Sequence, residues 1–94
     1  MKLSLSVVWS RRPDLIWKTL DGQALIIDDA EGKVYRFSES GCLIWNLLDG
    51  KRDAQEIAVL IASEYDIRSQ KAEEDVDAFV KKLRKHDLIV CVHE

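Results

Sequence analysis

Four acidic residues close together near the C-terminus have the side chains best suited to acid–base or metal chemistry in this chain: Glu73, Glu74, Asp75 and Asp77. Neighbouring carboxylates share a proton or bind a divalent cation when a fold brings them together. Here they fall in the predicted first turns of a helix, where acidic side chains stabilise the positive end of the helix dipole. The dipole accounts for their position, so we predict no catalytic or metal site at this cluster.

A basic run ends the same predicted helix and consists of Lys81, Lys82, Arg84 and Lys85. Cations are favoured at the C-terminal end of a helix for the same electrostatic reason, so the run does not by itself predict a binding patch. The whole chain has 14 basic and 17 acidic residues and a formal net charge of −3. This balance gives no general attraction to a polyphosphate such as DNA.

The remaining groups that could serve catalysis are few. Nucleophilic chemistry needs a base beside the nucleophile, and the histidines His86 and His93 lie near the C-terminus, where we expect them to be solvated. Cys42 and Cys91 lie far apart in apolar segments, which predicts buried, inert thiols instead of metal ligands. The four glycines lie at turns or helix ends and form no phosphate loop. We therefore expect a protein that is not an enzyme and has no cofactor and no metal.

The size and composition of the chain predict one domain over residues 1–94, since 94 residues with 47% hydrophobic content suffice for a single core. The first ten residues, MKLSLSVVWS, lack the apolar block and cleavage site of a signal peptide. No apolar run approaches the length of a membrane span. We expect a cytoplasmic protein that does not enter a membrane.

Three predicted strands form an antiparallel meander over residues 15–37. Leu15–Leu20 and Gln23–Asp28 are separated by Asp21-Gly22, a dipeptide that favours a two-residue hairpin turn. A second turn leads to Lys33–Phe37, which should be an edge strand. Alternation also predicts a strand at Leu3–Trp9, ended by the Arg11-Arg12-Pro13-Asp14 segment.

Three helices are predicted after the meander. Either Ser38 or Ser40 is able to cap the first, and Gly50 is placed to end it in the left-handed conformation. Asp53 and Glu56 form a capping-box pattern for the second, whose apolar face carries Ile57, Leu60, Ile61 and Tyr65. Ser69 should cap the third, whose buried stripe consists of Ala72, Val76, Phe79, Val80 and Leu83. His86-Asp87 ends it, and a final strand at Leu88–Val92 is predicted to pair with Leu3–Trp9.

The order and spacing of particular residues add evidence to this predicted arrangement of strands and helices. The run VYRFSESGCLIWNLLDGKRDAQEIAVLIASEYDI, followed by AEEDVDAFVKKLRKHDLI, resembles the pyrroloquinoline quinone biosynthesis protein D (PqqD-like) family over roughly residues 13–90. The resemblance implies an α+β, winged-helix-like fold with a three-stranded antiparallel β-meander, three α-helices and possible extra strands at both termini. Ser38 replaces an asparagine-like residue of the pattern, and Asp87 replaces its usual glycine.

The same resemblance implies a recognition element for ribosomally synthesised and post-translationally modified peptides (RiPPs). Such domains bind the leader segment of a precursor peptide and present its core to a modifying enzyme, such as a leader peptidase, a cyclase or a radical SAM enzyme. Pyrroloquinoline quinone and lasso peptides are both compatible products. The extra N-terminal strand either closes the sheet or exchanges between protomers, so we expect a monomer or a strand-exchanged dimer.

In the family, the leader lies as an added strand between the third strand of the meander and the third helix. The resemblance therefore implies docking between the strand Lys33–Phe37 and the helix Lys71–Lys85. The residues that we expect at this peptide-binding site are Lys33, Val34, Tyr35, Arg36, Phe37, Val76, Phe79, Val80, Leu83 and Arg84. The apolar helix residues among them are expected to be mostly core, with one margin of their stripe lining the groove. The residues themselves support this assignment, because an edge strand has unpaired N–H and C=O groups that an extended peptide can satisfy. Arg36, Lys82 and Arg84 are further expected to attract acidic residues of a leader, in a manner screened by salt.

Two alternatives stay open at this point. The first is a winged-helix DNA-binding protein, although the acidic start of its recognition helix, at Glu73, Glu74 and Asp75, would repel a duplex. The second is a general protein-interaction subunit whose exposed edge binds a protein and not a leader peptide.

Overall fold

The computed structural model describes residues 6–93. Within that range the chain forms six strands and three helices, namely β1 (Val8–Arg11), β2 (Ile16–Leu20), β3 (Gln23–Asp28), β4 (Lys33–Phe37), α1 (Glu39–Leu47), β5 (Asp49–Asp53), α2 (Ala54–Tyr65), α3 (Ser69–Lys85) and β6 (Ile89–His93). This order confirms the predicted α+β class and the meander followed by helices. None of the three helices in residues 6–93 has the length and apolar character needed to cross a membrane.

The predicted meander forms a three-stranded antiparallel sheet in the order β2-β3-β4. Asp21 and Gly22 have φ angles of 53° and 75°, the positive values that a type I′ turn requires at both central residues. The turn sets the register by pairing Leu20 with Gln23. In this sheet β4 lies at an edge, as predicted.

A second three-stranded sheet has the order β5-β1-β6. The predicted pairing of the N- and C-terminal strands is confirmed within one chain, since Trp9 lies opposite Cys91 and Arg11 opposite Ile89. The strand does not join the meander sheet, and it extends through Arg11, beyond the predicted end. The part of the predicted strand at residues 3–5 lies outside the described residues.

Strand β5 was not predicted from the sequence. Its residues DGKRD are polar and lack β-branched side chains, and their extended conformation comes from pairing with β1. Gly50 has the expected positive φ of 81°, but it lies in β5, so the prediction that it ends α1 is wrong. A Cβ atom there would lie 3.4 Å from the Cβ of Ser10.

The helix ends confirm some predicted caps and correct others. The Asp53 carboxylate accepts from the N–H of Glu56 at 2.8 Å, and Glu56 accepts from the N–H of Asp53 at 3.1 Å, which completes the capping box. Ser38 is the N-cap of α1, but its side chain makes no capping bond. The N-cap of α3 is Arg68 and not Ser69, which is already helical.

The C-terminal end of α3 shows how the chain ends this helix without a glycine. Asp87 adopts a left-handed φ of 58°, and the N–H of Leu88 donates to the carbonyl of Leu83 at 2.9 Å. These are the backbone conformation and bond of a Schellman motif, in which asparagine or aspartate can replace glycine. The departure from the family pattern at this position therefore leaves the local fold unchanged.

The acidic cluster of α3 requires a corrected explanation. The helix begins at Ser69 and has no acidic residue in its first turn, so the dipole does not explain the carboxylates. Ion pairs with residues one turn away account for two of the four, since Lys71 Nζ lies 2.9 Å from Asp75 Oδ1 and Lys81 Nζ lies 2.9 Å from Asp77 Oδ2. The predicted cations of the last turn are confirmed at Lys82, Arg84 and Lys85.

The hydrophobic core lies between the meander and the helices, with Trp45 of α1 fully buried near its centre. Ile57 and Ile61 of α2 are buried as predicted, whereas Leu60 is 42% exposed. Cys42 is also buried, and burial raises the pKa of its thiol. Cys91 is exposed, so the prediction of a second buried thiol is wrong.

Candidate functional site

The free edge of β4 is the main feature of the candidate site. The hairpin turn makes Leu20 and Gln23 a hydrogen-bonded pair, and such pairs alternate along an antiparallel ladder. The odd-numbered residues of β3 therefore bond to β2, and its even-numbered residues bond to Lys33, Tyr35 and Phe37 of β4. The backbone N–H and C=O groups of Val34 and Arg36 consequently point away from the sheet, where an extended chain can pair with them.

The side chains of β4 divide between two faces, as the alternation of a strand requires. Phe37 is 5% exposed and packs on the core, and Tyr35, on the same face, lies with its ring centroid 5.4 Å from that of His86. Val34, which is 65% exposed, and Arg36 are directed to the opposite face. The core therefore takes the Tyr35 and Phe37 face, which the sequence alone left undecided.

Helix α3 lies beside this edge, with its C-terminal half next to β4. The rings of Phe79 and Phe37 are in edge-to-face contact, with centroids 4.9 Å apart. The Nζ atom of Lys82 lies 5.8 Å from the centroid of the Phe37 ring. Phe79 and Lys82 are thus the α3 residues that the structure brings to the end of β4.

The other predicted helix residues have different surroundings. Val76, Val80 and Leu83 are at most 1% exposed and belong to the core. The guanidinium of Arg84 lies 5.2 Å from the ring of Trp9, on the side of α3 that faces the second sheet. The structure does not bring Arg84 to β4. The two cations Lys82 and Arg84 are separated by about 200° around a helix, so they point in opposite directions.

A groove of about 910 Å³ opens between β4, α1, α2 and α3. Its apolar lining includes residues of α2 and of the loop after it that sequence reasoning did not assign to a site. The groove residues are Arg36, Phe37, Ser38, Ser40, Gly41, Ile44, Ile61, Tyr65, Ile67, Lys71, Asp75, Ala78, Phe79 and Lys82. The helical periodicity of α2 marked Ile61 and Tyr65 as one face, but no signal in the sequence placed that face opposite Phe37.

Gly41, near the start of α1, lines the groove at a point where a side chain would not fit. A Cβ atom at this position would lie 3.1 Å from the Cβ of Phe37 and 3.2 Å from ring carbons of Phe79. Both distances are shorter than ordinary van der Waals contact. The absence of a side chain at Gly41 therefore permits the contact between Phe37 and Phe79 that forms the groove wall.

The rim of the groove is polar. Lys71 donates a hydrogen bond to Asp75, and this bond raises the pKa of the lysine. Burial, followed by the charge of Glu39, raises the pKa of Tyr65, so its phenol is a neutral hydrogen-bonding group at physiological pH. Lys82 is an exposed cation at this rim, and Arg36 lines the end of the groove from β4 although its side chain is directed to the opposite face. The arrangement therefore suits an amphipathic segment with an apolar and an acidic side chain.

A smaller pocket of about 200 Å³ lies at the other end of β4, where it is lined by Lys33, Tyr35 and His86 among others. One of its walls is the ion pair between Arg12 and the buried Asp28, whose Nη2 and Oδ1 atoms are 2.9 Å apart. In residues 6–93, no three side chains of His, Cys, Asp or Glu are grouped so as to hold a metal ion. The described surfaces thus combine an open strand edge at β4 with an apolar groove beside it.

The comparison with protein families identifies the family of this chain. The family described as coenzyme PQQ synthesis protein D (PqqD) matches residues 23–89, which is more than half of the chain. The chain belongs to the PqqD family. The matched region begins with β3 of this PqqD-family protein and ends at the start of β6, so it includes both β4 and α3. A comparison with curated proteins gave no match.

Two solved structures share the fold of this PqqD-family chain. TbiB1 in complex with the TbiA(beta) leader peptide is 21% identical, with a TM-score of 0.79 and coverage of 85% of this chain and 93% of that chain. Lasso peptide synthetase B1 complexed with the leader peptide is 22% identical, with a TM-score of 0.79 and coverage of 88% and 98%. At this level of identity the likeness establishes the fold.

Proposed function

We propose that this protein binds the leader segment of a ribosomally synthesised precursor peptide and presents the peptide to a separate modifying enzyme. The observation that carries the proposal is the free edge of β4 beside the apolar groove, in a chain of the PqqD family. Two proteins of the same fold were solved with leader peptides, which supports the same class of ligand here.

The leader would bind as a fourth strand of the meander sheet. The outward N–H and C=O groups of Val34 and Arg36 pair with its backbone, and alternate side chains of the added strand then point toward the groove or away from it. Backbone pairing gives affinity for any extended segment. The groove gives selectivity, because Phe37 and Phe79 offer an apolar wall for one large side chain.

The charged rim adds a preference for acidic leaders. We propose that Lys82 meets a leader carboxylate on the groove side of the added strand, and that Arg36, whose side chain is directed to the opposite face of β4, meets one on the other side. Their contribution would fall with increasing salt, because both side chains are exposed. Of the other predicted peptide-binding residues, Lys33 and Tyr35 flank the smaller pocket, while Val76, Val80 and Leu83 support the wall from the core.

In this proposal the modification is carried out by the partner enzyme and not by this chain. A lasso peptide is the product class that one of the two structural matches favours, since that match is a lasso peptide synthetase subunit. Pyrroloquinoline quinone is the class that the family description favours. The precursor encoded beside this chain decides between them.

An amide-resolved NMR titration tests the proposal directly. Leader peptide from the neighbouring precursor gene is added to the labelled protein, and a short DNA duplex is added to a second sample. We expect the peptide to shift amide signals of residues 33–37 and 72–85, and DNA to shift none. A DNA response centred on the start of α3, with no response to the peptide, would instead favour the winged-helix alternative.

The Val34→Pro variant tests whether the β4 edge is the docking strand. Proline removes an N–H that points outward, so the pairing of β4 with β3 should remain intact while one bond to the leader is lost and the ring obstructs the approaching strand. We expect leader affinity to fall about tenfold or more, since one hydrogen bond contributes about 1 kcal/mol and the steric obstruction adds to it. Isothermal titration calorimetry measures the change.

Val34→Ala is the matched control, because it shortens the same side chain but keeps the N–H. Its leader affinity should stay within about threefold of the original protein, and both variants should unfold at similar denaturant concentrations. If Val34→Pro lost affinity and stability in equal measure, or Val34→Ala lost as much affinity as Val34→Pro, then strand addition at β4 would be wrong.

A further inference from the structure

The face of the meander sheet opposite the core carries a continuous row of apolar side chains. The register aligns Ile16 of β2, Ile27 of β3 and Val34 of β4 across all three strands. Ile16 is 61% exposed and Val34 is 65% exposed, while Ile27 between them is half-buried. Leu20, further along β2, is also 61% exposed. Contiguous exposed apolar residues of this kind mark an interaction surface, whereas single ones do not.

A second row on the same face is cationic at both ends. The register aligns Lys18, Leu25 and Arg36, and both charged residues are exposed. The face positions of β2, β3 and β4, all within residues 6–93, include these two cations and no carboxylate. The whole chain has a net charge of −3, so the positive charge is a local property of this face. It complements a protein surface with acidic residues around an apolar centre.

The location of this face relative to the groove indicates which protein it binds. The groove and α3 lie on the core side of the meander, so a leader bound along β4 leaves the outer face open. The leader strand would also extend that face beyond Val34, because every second leader side chain would stand beside the apolar row. A protein seated on the face would therefore contact the sheet and the bound peptide together.

We infer that the outer sheet face, defined by Ile16, Lys18, Leu20, Ile27 and Val34, is the docking surface for the modifying enzyme, which binds it through an apolar patch surrounded by carboxylates. This inference rests on the proposed function, since the enzyme recognises the sheet as extended by the leader. It explains how one small domain holds the peptide and the enzyme at the same time. The leader uses the free edge of β4 and the groove, and the enzyme uses the outer face of the sheet.

Binding of the purified modifying enzyme encoded beside this chain tests the inference, with the full chain immobilised and saturated with leader peptide. We expect Ile16→Ser combined with Leu20→Ser to weaken enzyme binding at least tenfold, because both apolar side chains are lost from the interface. Leader affinity should stay within twofold, since β2 is the strand furthest from β4 in this sheet. Lys18→Glu should slow enzyme association at low salt, and the difference should vanish at high salt.

Val59→Ser combined with Leu60→Ser is the matched control. These α2 residues are 55% and 42% exposed, and they lie outside the meander. The control should bind enzyme and leader like the original chain. The inference is overturned if the β2 variant binds enzyme normally, if the control loses as much affinity, or if sedimentation shows that the face instead joins two copies of this chain. A chain that binds enzyme through this face but never binds leader would instead refute the proposed function.

Discussion

Replacement of Trp45 by alanine is expected to lower the free energy of unfolding by about 3–5 kcal/mol, the usual cost of removing a fully buried tryptophan. Domains of this size are stable by only about 5–15 kcal/mol in total. The variant should therefore lose a large part of its folded population at physiological temperature. Thermal unfolding followed by circular dichroism measures the loss, and we expect a fall in Tm of more than about 15 °C.

The size of this effect follows from the number of elements that meet at Trp45. Its ring lies 5.9 Å from that of Trp17 in β2 and 6.0 Å from that of Phe37 in β4, measured between centroids. The backbone carbonyl of residue 45 also accepts a hydrogen bond of 2.9 Å from the guanidinium of Arg11 in β1, and alanine keeps this bond, so the loss comes from the ring alone. One side chain thus holds α1 against the meander, and the second sheet is joined to the end of the same helix.

Val59→Ala is the control for this prediction, since Val59 is 55% exposed and should change stability by less than about 0.5 kcal/mol. Trp45→Ala should also abolish leader binding, because Phe37 loses the support that fixes the groove wall. A Trp45→Ala chain with an unchanged melting curve would show that the core is not organised around this residue.

The elements that the sequence predicts well are those fixed by neighbours along the chain. Asp21-Gly22 determines its hairpin because both residues accept positive φ angles, and Asp53 with Glu56 forms a capping box within a single turn. Strand β5 depends instead on β1, which lies about 40 residues earlier and supplies its hydrogen bonds. A polar segment with a glycine gives no local indication of such a partner.

The candidate site likewise has features that the sequence predicts and features that depend on distant packing. The edge position of β4 follows from the order of three strands joined by short turns, so the sequence was able to predict it. The apolar periodicity of α3, in contrast, does not show that Val76 is fully buried while Phe79, at the margin of the same face, is only half-buried. Charge alone does not separate Lys82 from Arg84 either. Only the packing of α3 between two sheets assigns one to the groove and the other to Trp9.

The Phe79→Ala variant is expected to lower leader affinity about 30-fold or more while the protein remains folded. Phe79 lines the groove, stacks edge-to-face on Phe37 and is itself only half-buried. Aromatic residues at the centre of an interface commonly contribute about 2 kcal/mol or more to binding, which corresponds to about 30-fold. Titration calorimetry gives the affinity, and the amide spectrum of the variant shows that the fold persists.

The Arg84→Ala variant tests whether the leader binds only at the groove side of α3 or also contacts other sides of the helix. Arg84 is on the same helix as Phe79, but its guanidinium lies over Trp9 and away from β4, so leader affinity should stay within about twofold. A large loss in Arg84→Ala with none in Phe79→Ala would place the peptide between α3 and the second sheet. A large loss in Phe79→Ala with none in Arg84→Ala would mean that the leader contacts the side of α3 that faces β4. Phe79 and Arg84 cannot reach the same ligand side chain, so the two variants separate these sites.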